Sequence, residues 1–112
     1  MRRDRIAEDI YTFSSDVYAQ VTSGVILTTE GTIVIDTLPF PEETRQVLDF
    51  ARERGKGPVR YVINTHYHSD HTNGNFLFPE AEVIGHRLCR QKMLTLGARN
   101  LADAKREQPE LN

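Results

Sequence analysis

The chain carries a single cysteine, Cys89, in 112 residues, so it forms no internal disulfide, and the cytoplasm is the expected compartment. No apolar run approaches the length of a membrane span. The amino-terminal stretch MRRDRIAEDI is charged and no apolar segment follows it, which is not the pattern of a secretory signal. Neither sign of charge is in excess: 14 Lys+Arg against 16 Asp+Glu leave a net charge of -2, with acids and bases intermixed. That balance gives no argument for nucleic acid or an anionic membrane as partner. There is no internal repeat, no low-complexity tract and no G-x-S-x-G turn, and Cys89 has no spaced base. A serine or cysteine nucleophile is therefore not indicated. What is present is 38% hydrophobic and 27% charged residues, enough for one packed domain and too apolar for wholesale disorder.

The first half reads as strands, at residues 9–13, 17–22 (VYAQVT), 24–29 (GVILTT) and 32–37 (TIVIDT). The last two flank Glu30-Gly31, a two-residue hairpin signal. Leu38-Pro39-Phe40-Pro41 stops the sheet, since neither proline can donate to a ladder. Residues 42–54 are predicted helical, with Val47, Leu48 and Ala51 as the apolar stripe, acids at the start, arginines at the end, and Gly55 as the stop. A strand at 59–64 (VRYVIN), a short strand at 82–85 and a helix at 86–96 follow, the last turning Leu88, Cys89, Met93 and Leu96 inward. Residues 100–112 form a charged tail, either a solvated helix or frayed. GVIL, TIVI and YVI are continuously apolar rather than alternating, which predicts strands covered on both faces. Two helices cover one face, so the other calls for a layer from outside this chain.

The stretch NTHYHSDHTNG, residues 64–74, holds three of the four histidines. His66 and His68 are two apart at the end of a strand, where alternate residues point the same way, so both imidazoles reach one ion. Asp70 and His71 fall in a turn, where adjacent side chains diverge towards a neighbouring point. The pattern suits two metal ions a few ångströms apart. Imidazole and carboxylate suit zinc, and iron or manganese also accept such donors.

This H-x-H-x-D-H stretch, THYHSDH, resembles the signature of the metallo-β-lactamase superfamily, and the preceding VIDT and following TNGN fit the same pattern, over roughly residues 17–86. The resemblance implies an α+β fold, the four-layer αββα sandwich, with the metals at the edge between two sheets. It makes His66 and His68 ligands of a first metal, and Asp70 and His71 ligands of a second. Asp70 would also act in catalysis by orienting the attacking oxygen. Asp36, ending VIDT, matches a position that supports the site rather than binding metal; read without the resemblance it is an aspartate in a strand-end turn. Gly74 would permit the tight return after the motif. Tyr67, between two ligands, should point away from them into packing. The implied chemistry is hydrolysis, with a metal-bound hydroxide attacking an ester, thioester, lactone, amide or phosphoester.

The family completes its site with residues farther downstream: a third histidine on the first metal, an aspartate bridging both, and a last histidine on the second. After His71 the only histidine is His86, expected to be structural or at the surface. Cys89 reads as a small buried hydrophobe. Asp103, Glu107 and Glu110 lie in the charged tail with no coordinating spacing. Residues 1–112 are thus expected to form a single partial domain, the N-terminal half of the sandwich: a mostly antiparallel sheet with helices on one face. It would be completed by a C-terminal half or a second copy. The alternative to a hydrolase acting on a small molecule is a non-catalytic metal-binding half-domain that assembles with itself or a partner.

Overall fold

The computed structural model describes residues 1–96. Six strands form one sheet in the order β1-β2-β3-β4-β5-β6: β1 (Arg2–Ala7), β2 (Ile10–Ser14), β3 (Thr22–Thr28), β4 (Gly31–Ile35), β5 (Val59–Asn64) and β6 (Glu82–Gly85). The first three pairings are antiparallel and the last two parallel. The parallel β4–β5 step needs a crossover, which α1 (Pro41–Arg54) supplies. A short helix, α2 (Ser69–Thr72), and a 3-10 turn at Asn75–Leu77 lie between β5 and β6. Residues 87–96 are helical and are called α3. The expected charged tail at 100–112 lies outside the described residues.

The core lies between one face of the sheet and α1. Val25, Val34 and Val62 stand in register across β3, β4 and β5 and are wholly buried. Val47 and Phe50 of α1 pack against them, with Phe13, Val21, Leu38 and Phe78 closing the cluster. Each such apolar side chain contributes about 1.5–3 kcal/mol on burial. The helix sets its acids Glu42 and Glu43 in the first turn and Arg52 and Arg54 in the last, as its dipole favours.

The strand boundaries show where local chemistry overrides apolar patterning. Residues 17–21 are not a strand. Ser15 Oγ accepts the backbone N–H groups of Val17 and Tyr18, both at 3.1 Å, and so turns the chain. The Ser15 hydroxyl donates in turn to buried Glu43 of α1 at 2.5 Å, and Ala19 and Gln20 adopt left-handed backbone. Conversely, β1 forms from the charged run RRDRIA. It is an edge strand paired with β2, and Arg3 lays its guanidinium 5.0 Å from the Phe50 ring centroid, a cation–π contact. The β3–β4 hairpin turns at Thr29-Glu30, one residue earlier than expected, and Gly31 opens β4 paired with Thr28; its φ is 130°, and a Cβ there would meet Pro58 O at 2.8 Å.

Of the two faces expected to be covered, this chain itself covers one and leaves the other half-open. Burial alternates even where composition does not. Ile26, Ile33, Ile35 and Ile63, on the face opposite the valines, are only half-buried, and Tyr61 and Ile84 are exposed. In α3, Cys89 is buried, but Leu88 faces outward at 53% exposure, against the inward position expected for it.

Candidate metal centre

The parallel pairing of β4 and β5 brings their carboxyl ends side by side, with Ile35 in register with Ile63. Asp36 leaves one end and Thr65-His66 the other, and Asp36 N–H donates to Ile63 O at 2.8 Å. Asp36 takes a left-handed φ of 59°, a conformation that aspartate tolerates better than most side chains. Its carboxylate, almost fully buried, accepts three hydrogen bonds: Thr65 N–H at 2.8 Å, the Thr65 hydroxyl at 2.6 Å and His71 Nδ1 at 3.1 Å.

The motif side chains converge around this anchor. The His66 ring centroid lies 4.8 Å from that of His68 and 4.2 Å from that of His71. His71 Nε2 is 3.6 Å from Asp70 Oδ2. Two overlapping groups have donor atoms within 4.8 Å of one another and could hold a metal: His66 with His68 and Asp70, and His66 with His71 and Asp36. The structure brings His66, His68, Asp70 and His71 close together but divides them otherwise than expected: Asp70 falls with His66 and His68, while His71 falls with His66 and Asp36. His86 lies in neither group. Its Nδ1 accepts the Leu88 N–H at 3.0 Å, which caps the first turn of α3. Tyr67 does not turn wholly away from the site; its ring packs edge-on against His68, with centroids 4.8 Å apart.

Neutral polar residues hold the loop in shape. The His71 carbonyl accepts the Thr37 N–H at 2.9 Å and the Thr37 hydroxyl at 3.0 Å, and Thr37 Oγ1 accepts the Gly74 N–H at 2.9 Å. Asn64 and Asn75 exchange amide hydrogen bonds of 3.2 and 2.7 Å across the base of the loop. Gly74 has φ -88°, so left-handed freedom is not why glycine stands there. A Cβ would lie 2.6 Å from Thr44 Oγ1 and 2.8 Å from Thr37 Cβ; glycine lets the loop press against α1. Thr37, Thr65 and Asn75 escaped sequence reasoning. Their one signal is polarity at the end of otherwise apolar strands and beside the histidines. Cys89 packs 3.5 Å from where a Gly85 Cβ would stand. Burial pushes its thiol above the usual cysteine range, and the negative charge of Asp36 adds to the effect.

The fold is α+β, and the ends of β4 and β5 and the loop and short helix that follow gather three imidazoles and two carboxylates that could hold a metal. The profile of the metallo-beta-lactamase superfamily matches residues 18–107, and the chain belongs to that superfamily. Its fold is that of solved metallo-beta-lactamases. One from Hirschia baltica superposes with a TM-score of 0.72 at 18% identity, over 86% of this chain and 48% of that one. One from Pseudomonas aeruginosa, solved in a mono-zinc form, gives a TM-score of 0.68 at 15% identity over 88% of this chain and 46% of that one. At those identities the likeness is one of fold. In sequence, a linear primary-alkylsulfatase from Pseudomonas sp. (strain ATCC 19151) is 34% identical over 55 residues, 49% of this chain and 10% of that protein. The chain therefore spans about half the length of its structural neighbours and a tenth of that relative. Among the described residues, no helix is long and apolar enough to cross a membrane.

Proposed function

We propose that the chain is the metal-binding half of a metal-dependent hydrolase, completed by a second layer over the open face of its sheet. The observation that carries this reading is the convergence of His66, His68, Asp70 and His71 donor atoms on one edge of the sheet. The donor set, nitrogen-rich with carboxylate oxygen, fits zinc, and iron or manganese also suit it. His66 and His68 would hold one ion, and Asp70 and His71 the second. Asp36 is better suited to orienting than to ligation, because three hydrogen bonds already occupy its carboxylate. By holding His71 Nδ1 it leaves Nε2 turned towards Asp70. When bound, the metal supplies Lewis acidity and makes water nucleophilic near neutral pH. Asp70, partly exposed, would be placed to orient an attacking water.

The substrate in this reading is a small molecule with a hydrolysable ester, thioester, lactone, amide or phosphoester bond. The likeness to a primary-alkylsulfatase adds sulfate esters to that class. The second layer is a complementing C-terminal half or a second copy, and the half-exposed isoleucines are the surface it would cover. The compartment is the cytoplasm, inferred from the lone thiol. A second reading, a non-catalytic metal-binding half-domain, draws on the half-exposed isoleucine face, which fits assembly with a partner.

Native mass spectrometry of the full chain with added zinc reports bound metal and chain count together. A hydrolysis panel of alkyl sulfate, thioester, lactone, β-lactam and phosphodiester separates the two readings. His66→Ala with His68→Ala is expected to abolish tight zinc binding while the circular dichroism spectrum holds. Undiminished zinc uptake in that double variant refutes the site. Zinc retention without turnover in any assembled form supports the non-catalytic half-domain.

A further inference from the structure

Thr65 stands between the anchor and the first histidine of the motif, and its hydroxyl touches both. Its Oγ1 lies 2.6 Å from Asp36 Oδ2 and 2.9 Å from His66 Nδ1. A hydroxyl has one proton and two lone pairs, whereas an ionised carboxylate only accepts. The Thr65 proton is therefore committed to Asp36. Only a lone pair remains for the imidazole, so His66 Nδ1 must be the nitrogen that carries hydrogen. We propose that Thr65 is a positioning residue that fixes His66 as its Nδ1–H tautomer and leaves the Nε2 lone pair free for a metal.

Asp36 thus sets two imidazoles at once, His71 directly and His66 through the Thr65 hydroxyl. The device does not depend on apolar packing, because Thr65 is itself exposed. Its backbone N–H donates separately to Asp36 Oδ1 at 2.8 Å, so changing the side chain leaves that anchor in place. Fixing the tautomer beforehand removes a rearrangement from metal binding, which is how partners of ligating histidines raise affinity. The consequence for affinity rests on His66 being a metal ligand; the tautomer itself does not.

The test is long-range proton–nitrogen correlation NMR on the ¹⁵N-labelled full chain without metal, near pH 8.5, where an ordinary imidazole is neutral (about two units above its usual pKa). The wild type is expected to show His66 protonated at Nδ1. Thr65→Ser should keep that signature. Thr65→Val, which keeps the shape and removes the hydroxyl, should lose it and weaken zinc binding by about tenfold or more, read by competition with a chromophoric chelator. Thr65→Ala serves as a second hydroxyl-free variant if the valine form does not fold. A wild-type His66 protonated at Nε2, or a tautomer unchanged in the hydroxyl-free variants, overturns the proposal. Failure of the wild type to take up zinc would instead undo the functional reading and leave the tautomer result standing.

Discussion

On one face of the sheet Val25, Val34 and Val62 are wholly buried beneath α1, while on the other Ile26, Ile33, Ile35 and Ile63 are only half-buried. The two faces are built from nearly the same side chains, and what separates them is a neighbour. β-branched residues on both sides of a strand record a need for cover, not the presence of cover within one chain. The difference makes the closed face a source of stability and leaves the open face as the surface the proposed second layer would cover.

The largest expected effect that sharpens this contrast is Phe50→Ala. The ring sits 4.8 Å from Tyr11 and 5.1 Å from Phe13 by centroid, under the guanidiniums of Arg3 and Arg54. Its removal should cost about 3–5 kcal/mol in urea unfolding. On the other face, Ile33→Lys should change the stability of the isolated chain by less than about 1 kcal/mol. It should also abolish any self-association seen by sedimentation velocity. Equal losses from both variants would show that the two faces are equally covered and break the comparison.

His86→Ala removes the acceptor that holds the Leu88 N–H and should loosen α3 by about 1 kcal/mol, with zinc content unchanged. A clear loss of zinc would make His86 a ligand and redraw the site. The smallest expected effect concerns Cys89, whose thiol burial raises above its usual range. A pKa raised on folding gives stability that is present below the unfolded value and is lost as pH rises through the folded one. Wild-type stability should therefore fall relative to Cys89→Ala above about pH 8.5, measured by denaturant midpoints. Parallel pH curves for the two proteins would show that the thiol is not sealed.

The sequence was most legible where two signals agreed. The strands at 59–64 and 82–85 have the predicted bounds, and α1 begins one residue earlier than expected, at Pro41, where a missing N–H costs nothing. The four motif residues do converge, but not by strand alternation: β5 ends at Asn64, His66 lies in a bend beyond it, and Asp70 and His71 ride on the short helix α2. Legibility failed where a side chain acted on a distant backbone. The loop at 15–21 has a strand-like composition, but Ser15 and Glu43 decide its path, and their partnership spans 28 residues. β1 was invisible because its run is charged and almost wholly exposed, and what ties it in is pairing with β2 and the contact of Arg3 with Phe50. Thr65 was missed for a similar reason: its role depends on Asp36, which the β4–β5 pairing brings to it.

Because the spatial order of the strands repeats their order along the chain, no strand must wait for a later one to fill the slot beside it. The sheet can lengthen sideways in step with synthesis, like a hand of cards opened from one corner, with each new segment meeting a finished rim. The rim laid down first is the arginine-rich β1, and the last described is β6, whose Val83 and Ile84 are exposed. Among the described strands, charge marks one rim of the sheet and exposed apolar side chains mark the other.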